Sequence, residues 1–448
     1  MKNTFCIGGI HPHDNKSYSA HKPIVEAPLP KQAVILLSQH IGAPAQPVVA
    51  VGDKVQVGTL LAQAGGFVSA PVHSSVSGKV VKIDNVLDGQ GNPAPAIFID
   101  AEGDEWLPTI DRTKTLIHDC TLEPKDIIKK IQDAGIVGLG GACFPTHVKL
   151  MPPGKNAEVL IVNGVECEPY LTNDHQLMLE HGEEILIGIR IVMKALGVSR
   201  AIIGIEANKP DAIEHMRNLA SKVLGIEVRA LKVKYPQGGE KQLIDACIGR
   251  QVPSGALPIE TGAVVDNVAT LFAIYEAVQK NKPLISRVMT ITGKNVQKPG
   301  NYLVRFGTPT SQLVEMVGGL PERTGEVIAG GPMMGRSMSN IDTMPANKRI
   351  SSLLFMPVLD CYRPQPSPCI RCAKCVDACP LGLEPYLLSS LAKGEEWEEM
   401  EAHRVMDCID CGSCVFTCPA HRPLLDGIRA GKGKVGAMIR ERQAAAKK

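Results

Sequence analysis

Aromatic side chains are scarce in this sequence: 8 Phe, 7 Tyr and 2 Trp make up 4% of 448 residues. An excess of one charge is missing too, because 48 Lys plus Arg nearly cancel 46 Asp plus Glu. A chain with no basic field and few rings for stacking bases is a poor nucleic-acid binder, so no nucleic-acid partner is expected. No run of 18 apolar residues occurs, and the N-terminus does not join a basic start to a long apolar stretch. A membrane-spanning helix and an export signal are both unsupported, and a cytosolic protein is the expectation. With 44% apolar and 21% charged residues the chain is ordinary globular material, long enough for three or four domains.

What the chain does hold is cysteine. Fourteen of them, in a chain expected to meet a reducing compartment, point to metal ligation rather than disulfides. Residues 369–380 read CIRCAKCVDACP and residues 408–419 read CIDCGSCVFTCP, both C-x2-C-x2-C-x3-C-P. A loop of this spacing aims three thiolates at three corners of a 4Fe-4S cubane, while the cysteine before the proline ligates the neighbouring cluster. The assignment is therefore crossed: Cys369, Cys372 and Cys375 with Cys418 for one cluster, and Cys408, Cys411 and Cys414 with Cys379 for the other. Four-cysteine zinc sites are the alternative, but they usually set two knuckles apart by a spacer, whereas here four ligands crowd into eleven residues, twice over. Residues 380–407, between the loops, are rich in Leu, Glu and Ala and read as helix, which implies an all-helical two-cluster ferredoxin module. Cys6, Cys120, Cys143, Cys167, Cys247 and Cys361 lack ligand spacing and read as small apolar side chains. His11 and His13 alternate in a polar loop without a third ligand and read as plain loop residues.

Upstream, residues 48–83 are short alternating β segments punctuated by Gly-Asp, Gly-Thr and Ser-Gly turns. The stretch resembles a lipoyl or biotinyl barrel sandwich, but the turn that would carry an attachment lysine reads AGGFVSA, so no swinging arm is expected. Residues 119–285 alternate strand and helix patterns, for which a largely parallel sheet is the simplest solution. Residues 286–350 read as a small β-grasp unit, and the Pro-rich DCYRPQPSP at 360–368 as a linker.

GLGGACFPTHVK, running from Gly138 to Lys149, packs glycines, an aromatic, a proline and a lysine into one turn. Such a loop lets backbone amides approach an anion, with the lysine as a point charge for phosphate. It matches neither the P-loop nor the G-x-G-x-x-G pattern, and a flexible turn is the plain alternative. Three further strings share the domain: NGVECEPYLTND at 163–174, YPQGGEKQL at 235–243 and DNVATL at 266–271. Each places polar groups beside glycine or proline at an expected strand end, where the loops of an open parallel sheet converge on a ligand.

These four strings resemble the flavin- and NADH-binding motifs of the NADH-oxidising subunit of respiratory complex I. The order of parts, from GGIHP through barrel sandwich, flavin domain and β-grasp unit to paired cluster loops, resembles the C subunit of Rnf complexes, ion-translocating ferredoxin:NAD oxidoreductases. That resemblance implies a multidomain α/β chain. Its parts are a lipoyl-like β module (1–118), a Rossmann-like FMN/NADH domain (119–285), an SLBB-like β-grasp domain (286–350), and a linker, two-cluster module and basic tail (351–448). It also implies that Gly138, Gly140, Gly141 and Ala142 wrap FMN, with Lys149 near its phosphate or ring. Asn163, Glu166, Gly238, Gly239, Glu240 and Asn267 would line the same pocket, Phe144 would stack on the dinucleotide, and Glu168 would hydrogen-bond it. Where the complex I subunit has arginine between the first glycines this chain has Leu139, and Val165 stands where that subunit has an acid before Glu166.

NADH gives up two electrons as hydride, whereas an iron–sulfur cluster accepts one, and a flavin converts between them. FMN with two 4Fe-4S clusters is thus a complete converter, and no catalytic acid–base dyad is required. The resemblance implies a peripheral subunit at the cytoplasmic face of the bacterial inner membrane. Its partners would be integral membrane and iron–sulfur subunits, with ferredoxin or another low-potential carrier served indirectly. Residues 422–448 hold eight Lys or Arg against two acids, read either as a solvated tail or as a docking segment. The alternatives are a flavin-dependent cobalamin reductase of bacterial microcompartments and a non-catalytic iron–sulfur scaffold.

Overall fold

In the strand Val159–Gly164 apolar residues follow one another without alternation. Such a run fits a strand covered on both faces, and the computed structural model, which describes residues 3–152 and 154–446, shows why. Val159–Gly164 lies inside a four-stranded, all-parallel sheet ordered Ile226–Leu231, Ala201–Glu206, Val159–Gly164, Ala263–Asn267. Its side chains divide with the two-residue period of a strand. Leu160 and Val162 join Ile189, Val192, Leu271 and Ile274 from helices Gly182–Leu196 and Val268–Lys280. Val159 and Ile161 join Leu243, Ile244 and Cys247 from helix Glu240–Ile248 on the other face. The two helices of the first face approach so closely that a Cβ on Gly188 would run into the Leu271 carbonyl oxygen.

The chain steps from Val159–Gly164 outward to Ala201–Glu206 and Ile226–Leu231, then returns to Val159–Gly164 on its other side with Ala263–Asn267. A reversal of this kind opens a crevice beyond the carboxyl ends of the two strands where the order reverses, Val159–Gly164 and Ala263–Asn267. Asn163 and Asn267, at those ends, are register partners.

Residues 30–106 form two small antiparallel sheets, one of Gln32–Leu36, Pro93–Ala101, Gly78–Leu87 and Lys54–Val55, the other of Gln46–Pro47, Leu60–Gln63 and Val72–His73. Ile35, Leu61, Val72, Val80, Ile97 and Ile99 fill the space between them. The third unit is a six-stranded mixed sheet with helix Thr310–Met316. It extends beyond 286–350: Ile24–Glu26 joins one edge parallel to Gly300–Arg305, and Ser352–Pro357 lies inside the sheet. Three residues of strand are too short a pattern to read from sequence.

From residue 362 onward the described chain is helical. Pro385–Lys393 and Trp397–Ala402 occupy the segment between the cysteine runs, and Leu424–Ala445 packs on both through Ile428 and Val435 against Leu388 and Met400. The reading of residues 422–448 as a solvated tail is thereby corrected. Leu424, Leu425, Ile428 and Val435 recur at helical spacing and are buried, and the distal turns are exposed.

Two glycine substitutions test this packing by thermal unfolding. Gly188→Ala, meeting fixed backbone, is expected to destabilise by about 1–3 kcal/mol. Gly433→Ala, on a helical position with no neighbouring atom within 4 Å, is expected to stabilise, by about 0.5–1 kcal/mol.

Candidate functional site

The crevice at the sheet's carboxyl edge is built from the four glycine- and asparagine-bearing strings. The Gly138 amide donates to the Phe144 carbonyl (2.9 Å) and closes the glycine loop on itself. The Leu139 amide donates to Thr270 Oγ1 (2.9 Å) and ties the loop to the first turn of Val268–Lys280. Gly140 lies against Asn267, whose Cβ would be 3.0 Å from a Cβ added there, and Gly141, at φ +142°, faces open space. Among the described residues the amides of Gly140, Gly141 and Ala142 donate to no protein acceptor. Three successive free amides on exposed backbone form an anion-binding concavity.

The strand-end asparagines hold the neighbouring loops. Asn163 donates to the Gly238 carbonyl (2.9 Å) and accepts from the Val165 amide (3.0 Å). Asn267 caps its helix by accepting from the Ala269 amide (2.9 Å), and donates to Asp174 Oδ2 (2.6 Å). Gly238 is pressed onto the Val165 carbonyl, and Gly239 precedes helix Glu240–Ile248. Lys149 donates to Glu240 Oε1 (3.0 Å) and to the Val265 carbonyl (2.7 Å). Burial works against its charge, but Glu240 and Asp266 hold the ammonium above its ordinary pKa.

Carboxylates dominate the crevice. Glu166 accepts from the Asp174 amide (2.9 Å) through one oxygen. Its other oxygen is buried without a partner among the described residues, as is Asp266 Oδ2. Burial, and then the charge of Glu166, push Asp174 up to about 7. Burial pushes Asp266 up to about 6 against the pull of Lys149. Free amides, close glycine approaches and unpartnered buried acceptors suit a ligand with both a phosphate and hydroxyl groups, which is the chemistry of FMN.

Hydrogen bonds and close approaches thus tie the Gly138–Gly140 turn, Lys149, Asn163, Glu166, Gly238, Glu240 and Asn267 together near the strand ends, with Gly141 and Ala142 exposed in the same turn, Gly239 next to Gly238, and Phe144 half-buried at the loop's end. Glu168 does not join them. Its carboxylate accepts from the amides of Met333 (3.0 Å) and Met334 (2.8 Å), and a side chain on Gly331 would overlap it. Burial raises Glu168 to about 7 despite those amides. Asp174 and Asp266 belong to strings singled out in the sequence, where nothing marked them as more than loop acids. Thr270, which holds the Leu139 amide, sits in the DNVATL string without any mark of its own, and Arg287, which holds the Leu139 carbonyl, carried no local signal.

In the helical module Cys379, Cys408, Cys411 and Cys414 line one small cavity, walled by Leu381, Leu383, Leu388, Ile409 and Ile428. The Leu383 amide donates to Cys379 Sγ (3.3 Å) and the Asp410 amide to Cys408 Sγ (3.4 Å). Amide donors to sulfur are the outer-sphere contacts that tune iron–sulfur clusters. Burial pushes the Cys408 thiol up to about 12 and Cys414 higher still, so ligation here must displace protons. Among the described residues no three His, Cys, Asp or Glu side chains gather as a single-ion site. The other four are more open: Cys369 and Cys372 are exposed, and Cys375 and Cys418 are half-buried. Of the remaining cysteines, Cys143 and Cys247 are buried.

The two sites touch. Tyr235, in the YPQGGE string, donates its hydroxyl to the Cys411 carbonyl (2.8 Å) and reaches Glu168 Oε1 at 3.4 Å. Gln242 donates to the Pro380 carbonyl (3.2 Å). Ile10 exchanges backbone hydrogen bonds with Tyr235 at 2.9 Å, while the Gly9 amide donates to the Ala378 carbonyl (3.0 Å).

Comparison with known proteins follows the same division. Residues 4–104 match the RnfC barrel sandwich hybrid domain, 131–276 the Nuo51 FMN-binding domain, 288–337 the SLBB domain and 362–419 a 4Fe-4S dicluster domain. The C subunit of the proton-translocating ferredoxin:NAD(+) oxidoreductase complex of Clostridium ljungdahlii is 45% identical, over 94% of this chain and 92% of that protein. Its counterpart in the Na(+)-translocating complex of Acetobacterium woodii is 42% identical, over 98% and 99%. The C subunit of the Rhodobacter capsulatus ion-translocating oxidoreductase complex is 38% identical, over 96% and 82%. Among solved structures, an NAD+-reducing NiFe-hydrogenase in the H2-reduced state shares the fold at TM-score 0.50 and 19% identity, covering 69% of this chain and 61% of that one. The chain belongs to the family of C subunits of ion-translocating ferredoxin:NAD+ oxidoreductase complexes.

Proposed function

We propose that the chain is the NADH-handling subunit of an ion-translocating ferredoxin:NAD oxidoreductase, carrying FMN in the crevice and two 4Fe-4S clusters in the helical module. The observation that carries this reading is the junction of the two sites: the crevice loop at Tyr235 is hydrogen-bonded to the backbone of Cys411. When bound, FMN takes hydride from NADH and releases electrons singly. Gly140, Gly141 and Ala142 offer amides to its phosphate. Asn163, Asn267, Glu166 and Glu240 fix the loops around it, and Lys149 answers the acids that crowd the crevice. Phe144 stands at the end of the glycine loop, where a dinucleotide would stack. Glu168 acts in this reading by holding the Met333–Met334 backbone against the crevice.

Cys379, Cys408, Cys411 and Cys414 hold the cluster facing the crevice. Cys369, Cys372, Cys375 and Cys418 hold the outer one, whose exposed loop is the exit. The crossed ligand sets are supported by the lining of the inner cavity, where Cys379 joins Cys408, Cys411 and Cys414. In this reading 1–118, 119–285, 286–350 and 351–448 hold the lipoyl-like barrel sandwich, the Rossmann-like FMN/NADH domain, the β-grasp domain and the cluster module, with Ile24–Glu26 and Ser352–Pro357 lent to the β-grasp sheet from outside its bounds. We place the protein peripherally on the cytoplasmic face of the bacterial inner membrane, with integral and iron–sulfur subunits of its complex and ferredoxin as electron partners. Among the described residues no helix is long and apolar enough to cross a membrane.

Anaerobic purification, iron and flavin assay, and addition of NADH test the reading. Bleaching of flavin and then of cluster absorbance is expected; intact clusters without an NADH response would sink it. Cys418→Ser should remove the outer cluster alone, lowering iron from about eight to about four atoms per chain. Lys149→Ala should lower flavin content and leave iron unchanged, as released-flavin fluorescence will show. Tyr235→Phe loses one hydrogen bond, a change of about 1 kcal/mol. In stopped flow it should slow cluster reduction by NADH at unchanged flavin content.

A further inference from the structure

The crevice carries an imbalance of charge. Glu166, Asp174, Glu240 and Asp266 face it, and its lysine, Lys149, is already paired with Glu240. Lys209, behind Glu166, is paired with Glu206. From residue 136 to 146 the glycine loop itself contains no Lys, Arg or His. A cofactor bearing a phosphate dianion would enter a site with more negative than positive groups, a combination that costs affinity unless another cation lies close.

Two cations do lie close, and both come from the third unit. Arg287, on strand Ser286–Thr292, is 4% exposed and passes beneath the glycine loop, donating to the Leu139 carbonyl (3.0 Å) and the Lys348 carbonyl (2.6 Å). Its Nε has no partner among the described residues. Lys348, fully buried, donates to the Gly135 carbonyl (2.7 Å) just before the loop and to the Pro71 carbonyl (3.1 Å) of the N-terminal unit. Cys143, at the loop's far end, sits on the Lys348 carbonyl (3.3 Å). Among the described residues neither side chain forms an ion pair within 4 Å, and carbonyl oxygens are their only hydrogen-bond partners. Burial lowers both, Lys348 to about 7, so Arg287 carries the standing charge and Lys348 gains its own fully only beside an anion. The charged and titratable groups around them include Asp174, Cys143, Arg349, His40 and His73. Buried charges are normally paired or bound to a ligand, so an unpaired cation under a loop of free amides points to an anion on that loop.

We propose that Arg287, assisted by Lys348, is the cationic floor that lets the glycine loop recognise the phosphate of a phosphorylated flavin. Both are positioning residues, acting through the loop they support. This rests on the assignment of FMN to the crevice and adds to it a determinant of specificity for FMN over unphosphorylated riboflavin. The third unit is then part of the cofactor site, and flavin binding depends on its docking.

The test uses the full chain with its clusters, freed of flavin and titrated with FMN and with riboflavin by fluorescence quenching. Arg287→Met should weaken FMN by about tenfold or more, as loss of a charge-assisted hydrogen bond to the Leu139 carbonyl and of the positive charge behind the loop implies. Riboflavin affinity and cluster absorbance should stay unchanged, and Arg287→Lys should recover most of the FMN affinity. Lys348→Met should show the same selective loss on a smaller scale, and decides the matter should Arg287→Met not fold. Unchanged FMN affinity, or equal losses for FMN and riboflavin, would overturn the proposal and leave a purely architectural role. An unaltered protein that binds neither flavin would remove the FMN assignment itself, a failure distinct from either.

Discussion

The hydrogen bond from the Tyr235 hydroxyl to the Cys411 carbonyl is the contact on which the molecule's arrangement turns. It joins a loop at the carboxyl edge of a parallel sheet to the backbone of a cysteine in an apolar cavity. Ile10, Ala378 and Cys411 pack around the same ring, so the bond lies in a small dry cluster rather than in water. A shielded hydrogen bond of this kind resists competition by solvent and fixes the relative position of the two units more firmly than an exposed one could. The N-terminal residues reinforce it, since Gly8 lies so near the Cys379 carbonyl that no side chain fits there.

The parts most legible in the sequence were those whose chemistry is confined to a short stretch of chain. The two cysteine runs declare themselves because a cubane demands three ligands from one loop. The glycine loop and the strand-end asparagines could be read because loops converge at one edge of a parallel sheet. What could not be read depends on pairs far apart in the chain. The family resemblance set Glu168 beside the dinucleotide, and nothing in its string announces that its carboxylate also holds the amides of Met333 and Met334, 165 and 166 residues away. Arg287 reaches Leu139 across 148 residues, and no local pattern announces it. The C-terminal helix was obscured by its glycines, which lower helix propensity, while tertiary burial of Ile428 and Val435 decides its conformation.

Each unit thereby contributes backbone or charge to a neighbour's site. Pro71 of the barrel sandwich accepts from Lys348 of the third unit, and Met333 and Met334 of that unit hold Glu168 of the flavin domain. The Cys411 backbone accepts from Tyr235. Cofactor geometry in such a chain is a property of the whole assembly, because the groups that orient one loop stand on another unit.

The cavity lined by Cys408, Cys411 and Cys414 takes its fourth thiol, Cys379, from the earlier run. Filling it cross-links the chain across the segment 380–407, so that helices Pro385–Lys393 and Trp397–Ala402 lie inside a closed loop. A link of that kind removes conformational freedom from the unfolded chain and makes metal insertion part of folding. In the crossed arrangement the outer cluster spans the same segment through Cys375 and Cys418, so the two helices are stapled twice. Loss of the exposed staple to oxidant leaves the buried one holding the helices, and with them the Cys411 backbone on which Tyr235 rests. With the proposed crossed ligands, the inner site would be insured by its own ligand topology.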